Sequence, residues 1–437
     1  MSESRWAVKK FGLKLRREGS RIQRRLSARN KILIYLALLG PGIIAANAGN
    51  DASGIATYST VGAAYGYKLL WVFIPMTLSL IIVQEMCVRM GVVTGKGLSD
   101  LIREQFGVRW TVVVMLSLLI ANTGVIISEF VGIAQASELF GIPRYVTIPI
   151  TSAMIWWLVV KGTQKRVEQV FLLMSLVFFC YIISAFLAQP DWGEVGKGFI
   201  RPSFQLDGGY LFTVMAVIGT TITPFMQVFV QSSVVEKGTT KEDYPLARLD
   251  VIIGTVFACL ISAFIVISTA ATLHVQGITE IHSAADAARA FAPIAGEYAK
   301  FIFAIGLFGA AMLAMGVLPL ATAYSLSEAL GFEKGLSHSF REAPIFLGIF
   351  TSLIVIGAVV ALIPNIPQIQ LLVLTQCING LLLPVILVAI VLLSNNREIM
   401  GEFKNSFVFN CLAWTITVVV SILSLLLIGD TIFQLVF

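Results

Sequence analysis

Residues 40–57 read Gly40-Pro41-Gly42-Ile43-Ile44-Ala45-Ala46-Asn47-Ala48-Gly49-Asn50-Asp51-Ala52-Ser53-Gly54-Ile55-Ala56-Thr57. They sit in the middle of an apolar segment spanning 32–66, so an aspartate, two asparagines and two glycines fall where a bilayer is driest. A charge at that depth costs about 2.5–3.5 kcal/mol on insertion scales, so Asp51 should face protein or water and not lipid. Asn, Asp and Ser side chains compete for backbone groups and Gly adds freedom, which makes Asn50–Gly54 a poor helix interior. The reading is a broken helix whose freed carbonyls line a cavity, the one place such backbone is tolerated inside a membrane.

The rest of the chain agrees with a membrane setting. Of 437 residues, 57% are hydrophobic and only 13% charged, and the mean hydropathy is +0.86. A soluble fold needs about twice that charged fraction. Apolar runs near 20 residues recur, the length that crosses ~30 Å of hydrocarbon. The spans predicted are 32–66 (interrupted), 69–93, 111–139, 145–160, 167–188, 208–236 (interrupted), 247–273, 300–328, 343–363, 367–393 and 407–435, eleven in all. Breakers fill the connectors at Gly95–Gly97, Gly141–Pro143, Pro190–Pro202 and Pro364–Pro367.

Residues 1–31 hold eleven Lys/Arg against two acids. They read as a basic arm on the anionic inner leaflet, with an amphipathic helix around Trp6–Leu15 as one form it can take. With a cytoplasmic amino terminus, only Lys68, Arg144, Lys197, Arg201, Arg289 and Lys300 of the 31 basic residues lie outside. This separation predicts an extracellular carboxyl terminus in a cell membrane. It also explains the net charge of +6 without any nucleic acid. Cys87, Cys180, Cys259, Cys377 and Cys411 form no CxxC and read as packing residues. No HExxH, GxSxG or paired catalytic acids support an enzyme.

Span 6 carries a second anomaly, Gly219-Thr220-Thr221-Ile222-Thr223-Pro224-Phe225-Met226-Gln227. Pro224 removes a donor and clashes with the preceding turn, freeing carbonyls near Thr220. A simple kink would account for this span alone. Together with the break in span 1, five spans earlier, it points to an inverted-repeat transporter with a site at the midplane.

At this point the chain resembles the Nramp family of divalent-metal transporters over residues 32–393. The residues that carry the likeness are Gly40-Pro41-Gly42, Ile55-Ala56-Thr57, Tyr65-Gly66-Tyr67, Leu70-Trp71-Val72, Leu101-Ile102-Arg103-Glu104, Glu129-Phe130, Phe140-Gly141-Ile142-Pro143, Asp250-Val251-Ile252-Ile253 and Thr375-Gln376. The resemblance implies an all-α polytopic fold with a LeuT-type inverted repeat. A first five-helix repeat would span 32–188, a second 208–393, and an eleventh helix 407–435.

The departures from the family pattern bear on the cargo. Nramps have Asp-Pro-Gly-Asn in the first break, with Asp and Asn as ligands. Here the sequence is Asp51-Ala52-Ser53-Gly54, so the carboxylate stays and the amide ligand becomes Gly54. In the second break the family's Met-Pro-His becomes Thr223-Pro224-Phe225, and its backbone carbonyl ligand corresponds to Thr220. Gln376 stands where the family has a glutamine that approaches the metal. Loss of the thioether removes a soft-ion bias, whereas hydroxyl, carbonyl and carboxylate suit Mg²⁺. Mg²⁺ keeps several waters and is held through one or two carboxylates. The pattern resembles the Nramp-related magnesium transporters, a prokaryotic branch, which implies a prokaryotic plasma membrane; Mn²⁺, which also accepts oxygen, is a second candidate.

Proton coupling in the family uses the span 6 histidine and acids in span 3. Those positions are Phe225, Ile126 and Glu129, so one acid remains. The histidines, His274, His282 and His338, fall in predicted loops. The expectation is uncoupled, facilitated transport, with a proton-coupled Mn²⁺/Fe²⁺ importer as the alternative. Asn50, Ser53, Thr57, Phe225, Gln227 and Glu129 are pathway candidates, Glu129 equally well a structural partner. Gln231, Asn122 and Asn379 read more plainly as helix-bridging amides. Glu85 and Arg89 form an i,i+4 pair expected to be structural. No resident cofactor and no protein partner are indicated; the partners are the transported cation and the lipid bilayer.

Overall fold

A computed structural model describes residues 40–162, 164–205, 207–288, 299–335, 340–364 and 367–436. The basic arm and His338 lie outside them. The chain from Pro41 onward is one compact unit, and all its regular structure among the described residues is helical.

The helices are α1 (Pro41–Asn47), α2 (Ala52–Tyr65), α3 (Phe73–Thr94), α4 (Leu98–Leu139), α5 (Arg144–Lys161), α6 (Gln164–Met174), α7 (Phe179–Leu187), α8 (Trp192–Ile200), α9 (Gly208–Thr221), α10 (Pro224–Glu236), α11 (Tyr244–Thr269), α12 (Ala284–Ala288), α13 (Ala299–Leu330), α14 (Pro344–Ala361), α15 (Gln368–Asn395), α16 (Arg397–Met400) and α17 (Phe407–Val436). Nine spans among the described residues are long and apolar enough to cross a membrane, against the eleven read from the sequence. The other two are the first, divided into α1 and α2, and the fourth, α5, whose terminal Arg144 and Lys161 dilute its apolarity.

Two spans are true breaks. α1 stops at Asn47, and Asp51 takes an extended conformation (φ −70°, ψ 179°) as the cap of α2. In the sixth span α9 stops at Thr221, Thr223 is extended (φ −68°, ψ 142°), and Pro224 opens α10. Proline is pre-organised for a first helical position and has no N–H to orphan there. The sixth span is therefore two helices joined by an unwound pair of residues, not a kinked one.

Close backbone contacts hold these breaks in place. A Cβ on Gly42 would lie 2.7 Å from the Val251 nitrogen, and one on Gly254 would lie 2.7 Å from the Ile43 Cα. α1 and α11 thus touch through glycines, as small residues allow in membrane interiors. Asp250 of α11 closes the contact, its Oδ2 accepting from the Gly42 N–H at 2.6 Å and its Oδ1 from the Ile43 N–H at 3.3 Å. Those are orphan donors of a helix first turn, where a carboxylate is favoured. In the same way a Cβ on Gly219 would fall 1.9 Å from the Gln376 carbonyl oxygen, which fixes α9 against α15.

The far end of α10 is also fastened. Gln231 Nε2 donates to the Lys96 carbonyl at 2.9 Å and Ser232 Oγ to Glu328 Oε1 at 2.7 Å. The Lys334 ammonium bridges Asp100 at 2.5 Å and Glu328 at 3.2 Å. The expected Glu85–Arg89 pair forms at 3.2 Å, and Arg89 also donates to the Phe403 carbonyl at 2.8 Å. α4 begins at Leu98, earlier than the span placed at 111, because Gly107 (φ 74°, ψ 177°) joins a short helix to the apolar one. His274 is not in a loop: it ends a π-helical turn after α11, and its Nδ1 lies 2.7 Å from the Ala63 carbonyl.

Candidate metal site between the helix breaks

Asp51 is wholly buried, and Oδ1 accepts from the Gly54 N–H at 2.5 Å, a side-chain cap on α2. Gln376 Nε2 from α15 lies 3.2 Å from both carboxylate oxygens, and its own Oε1 accepts from Asn379 Nδ2 at 3.2 Å. Thr220 Oγ1 donates to the Gly49 carbonyl at 3.1 Å, so the end of α9 meets the turn before Asp51.

Gly54 marks where these groups converge. A Cβ there would lie 2.7 Å from the Gly49 carbonyl oxygen, 2.7 Å from Thr220 Oγ1 and 3.1 Å from Asp51 Oδ1. Three oxygens of different chemistry, from both broken spans, close on one point that only glycine leaves open. Among the described residues, no group of three or more His, Cys, Asp or Glu is placed to hold a metal ion. The donors gathered here are instead one carboxylate, one hydroxyl and one carbonyl, all hard oxygen ligands.

The second break contributes less finished chemistry. Thr223 Oγ1 and Gln227 Oε1 are buried with no hydrogen-bond partner among the described residues, although Gln227 Nε2 reaches the Thr223 carbonyl at 3.4 Å. Phe225 is wholly buried beside them.

The other pathway candidates are engaged in holding helices. Glu129 of α4 accepts from the Ala52 N–H at 2.9 Å through Oε2, and from the Ser53 N–H at 3.2 Å and Ser53 Oγ at 2.8 Å through Oε1. The structure places its carboxyl group at the amino terminus of α2, where a helix presents free donors. Ser53 Oγ is also 2.7 Å from Ser128 Oγ, which Thr375 Oγ1 approaches at 3.2 Å. Asn50 ties the break to α11, donating to the Ala258 carbonyl at 3.0 Å and accepting from Ser262 Oγ at 2.7 Å. Thr57 Oγ1 turns back to the Ser53 carbonyl at 2.8 Å, along its own helix. Asn122, read as a bridging amide, donates to Thr322 Oγ1 at 2.7 Å.

Two residues escaped the sequence reading. Met226 packs its methyl against Gly49, where a Cβ would fall 1.9 Å from Cε. Its sulfur accepts from Gln84 Nε2 of α3 at 3.8 Å. Met226 follows Thr223 by three residues, nearly one turn, and Gln84 is an amide inside an apolar span. Those are the only signals the sequence offers for them.

Residues 42–430 match the Nramp family, described as natural resistance-associated macrophage protein-like. The chain belongs to the Nramp family. Among its relatives, the divalent metal cation transporter MntH of Agrobacterium fabrum is 30% identical over 413 residues, covering 90% of this chain and 87% of the relative. The MntH of Deinococcus radiodurans is 27% identical over 398 residues, 88% of each. Among solved structures, the Eremococcus coleocola manganese transporter, in complex with an aromatic bis-isothiourea substituted compound, superposes with a TM-score of 0.72. Identity to it is 20%, with 92% of this chain and 87% of that chain covered. The nucleobase-cation-symport-1 family transporter Mhp1 in a closed conformation gives a TM-score of 0.55 at 13% identity, over 90% and 92% of the two chains. The Nramp chain thus has the all-helical LeuT-type fold in which two spans unwind at the centre.

Proposed function

We propose that this Nramp chain is a secondary carrier of divalent metal cations that works by alternating access. Its main cargo is Mg²⁺ with much of its water retained, Mn²⁺ is a second cargo, and movement is not coupled to protons. One observation carries this reading: the carboxylate of Asp51, the hydroxyl of Thr220 and the carbonyl of Gly49 converge at Gly54. Oxygen donors with a single charge suit an ion that surrenders few waters. Thr223 and Gln376 extend the donor set from either side. The named relatives are transporters, and the chain is read with them as a carrier and not an enzyme.

Bilayer and cargo set the driving force. A membrane potential supplies about 2.3 kcal/mol per charge per 100 mV, and roughly twice that for a divalent ion. Inward movement needs no proton at that level. In this reading the amino terminus is cytoplasmic, the carboxyl terminus is extracellular, and the five-helix repeats are 32–188 and 208–393, followed by the helix at 407–435. Opening on either side would come from α1, α2, α9 and α10 moving against their neighbours.

A second reading, a proton-coupled Mn²⁺/Fe²⁺ importer, is favoured by what the relatives are called. Against it stands the residue after Pro224, a phenylalanine that carries no proton. Uptake into proteoliposomes containing a pH-sensitive dye separates the two. The first reading expects Mg²⁺ entry with no acidification; the second expects Mn²⁺ entry with acidification and little response to Mg²⁺.

A further inference from the structure

Beside the oxygen cluster lies a thioether, that of Met226. The Met226 methyl rests on Gly49, the residue whose carbonyl belongs to the cluster, so its sulfur stands one covalent bond behind that contact. Methionine is unbranched, and its end torsions turn readily. What opposes such a turn is Gln84. Its Nε2 donates to the sulfur at 3.8 Å, and Thr255 Oγ1 donates to its Oε1 at 3.4 Å. A thioether can only accept, so the N–H side of the amide meets the sulfur and its oxygen is left to accept from the Thr255 hydroxyl. Gln84, Thr255 and Met226 come from three helices, α3, α11 and α10, and the two amide-linked residues are fully buried.

We propose that Gln84 is a positioning residue that sets ion preference by holding the Met226 sulfur out of the cation's coordination sphere. The inference rests on the reading of the oxygen cluster as the cargo site. A thioether is a soft ligand, so admitting it would favour soft divalent ions over Mg²⁺. Partners behind a metal's immediate ligands commonly change affinity by about 10–100-fold. Gln84 acts in that manner, weakening the hold on soft ions and leaving the hold on hard ions nearly unchanged.

The test uses the full chain in proteoliposomes, with Cd²⁺ as a soft probe competing against Mg²⁺ uptake. Gln84→Leu should lower the Cd²⁺ concentration for half-inhibition about tenfold, at the low end of such effects, with the Mg²⁺ half-saturation little changed. Adding Met226→Leu should restore the wild-type Cd²⁺ value, because the gain runs through sulfur. If Gln84→Leu fails to fold, Gln84→Ala enters the same comparison. A Cd²⁺ gain that persists without the sulfur, an equal shift for both ions, or no shift would each overturn the proposal. Calorimetric Cd²⁺ titration of the purified single and double variants keeps this question separate from the cargo. If wild type takes up no Mg²⁺, the cargo reading falls, while the sulfur-dependent difference in Cd²⁺ affinity still decides the role of Gln84.

Discussion

The two helix breaks face each other but are finished differently. At the start of α2 the free N–H groups are all taken: Ala52 and Ser53 by Glu129, and Gly54 by Asp51. At the start of α10 the first residue is a proline with no N–H, and the capping Thr223 has a hydroxyl without a partner among the described residues. The first break is locked by two carboxylates. The second offers neutral oxygens that nothing in its own backbone requires. Charge and rigidity are thus concentrated on one side of the site, and adjustable donors on the other.

This asymmetry ranks the consequences of mutation. Asp51→Ala removes the only carboxylate of the convergent oxygens together with the cap of α2, and Mg²⁺ uptake in proteoliposomes should be abolished. Gly54→Ala should come next. The added methyl meets three oxygens at 2.7, 2.7 and 3.1 Å, so uptake should fall steeply while the protein still purifies as a folded species. Retained uptake in that variant would mean that the oxygens do not converge in any state the cargo visits.

Glu129→Gln probes the lock itself. An amide has one acceptor oxygen where the carboxylate offers two, so a buried N–H loses its partner at a cost of about 1–3 kcal/mol. Thermal unfolding in detergent should shift down by the equivalent amount, with uptake reduced less than for Asp51→Ala. Thr223→Val should have the smallest effect. Stability should hold, because an unpartnered buried hydroxyl is being removed, while the Mg²⁺ half-saturation rises modestly in uptake assays. A large stability loss there would show that the second break is as tightly finished as the first.

Both breaks were legible in the sequence because they violate local rules that act within a few residues. Asn50–Gly54 is a poor helix interior, and Pro224 cannot continue a helix. The oxygen character proposed for the site came from a different source: Asp51 stood out as a buried charge, whereas Thr220, Thr223 and Gln376 were singled out by the resemblance to the family. What could not be read was how distant residues complete the breaks. Asp250 caps α1 from 208 positions away, and its role depends on the glycine contact between α1 and α11. Glu129 was visible only as a buried acid, equally compatible with a pathway; its bonds to α2 depend on how α4 packs across the break. The Gln84–Met226 contact joins α3 to α10, and neither residue departs from its local pattern strongly enough to announce it. The early start of α4 was hidden because Gly107 separates a polar helix from the apolar run.

In the function proposed above, Asp51 and its neighbouring oxygens hold a hydrated hard cation between the breaks. Isothermal titration of the purified chain with Mg²⁺, followed by Cd²⁺, tests it most directly. Mg²⁺ should bind, its binding should disappear in Asp51→Ala, and it should lower the apparent affinity for Cd²⁺ by competition at the same site. Tight Cd²⁺ binding that ignores millimolar Mg²⁺, or Mg²⁺ binding that survives Asp51→Ala, would contradict it.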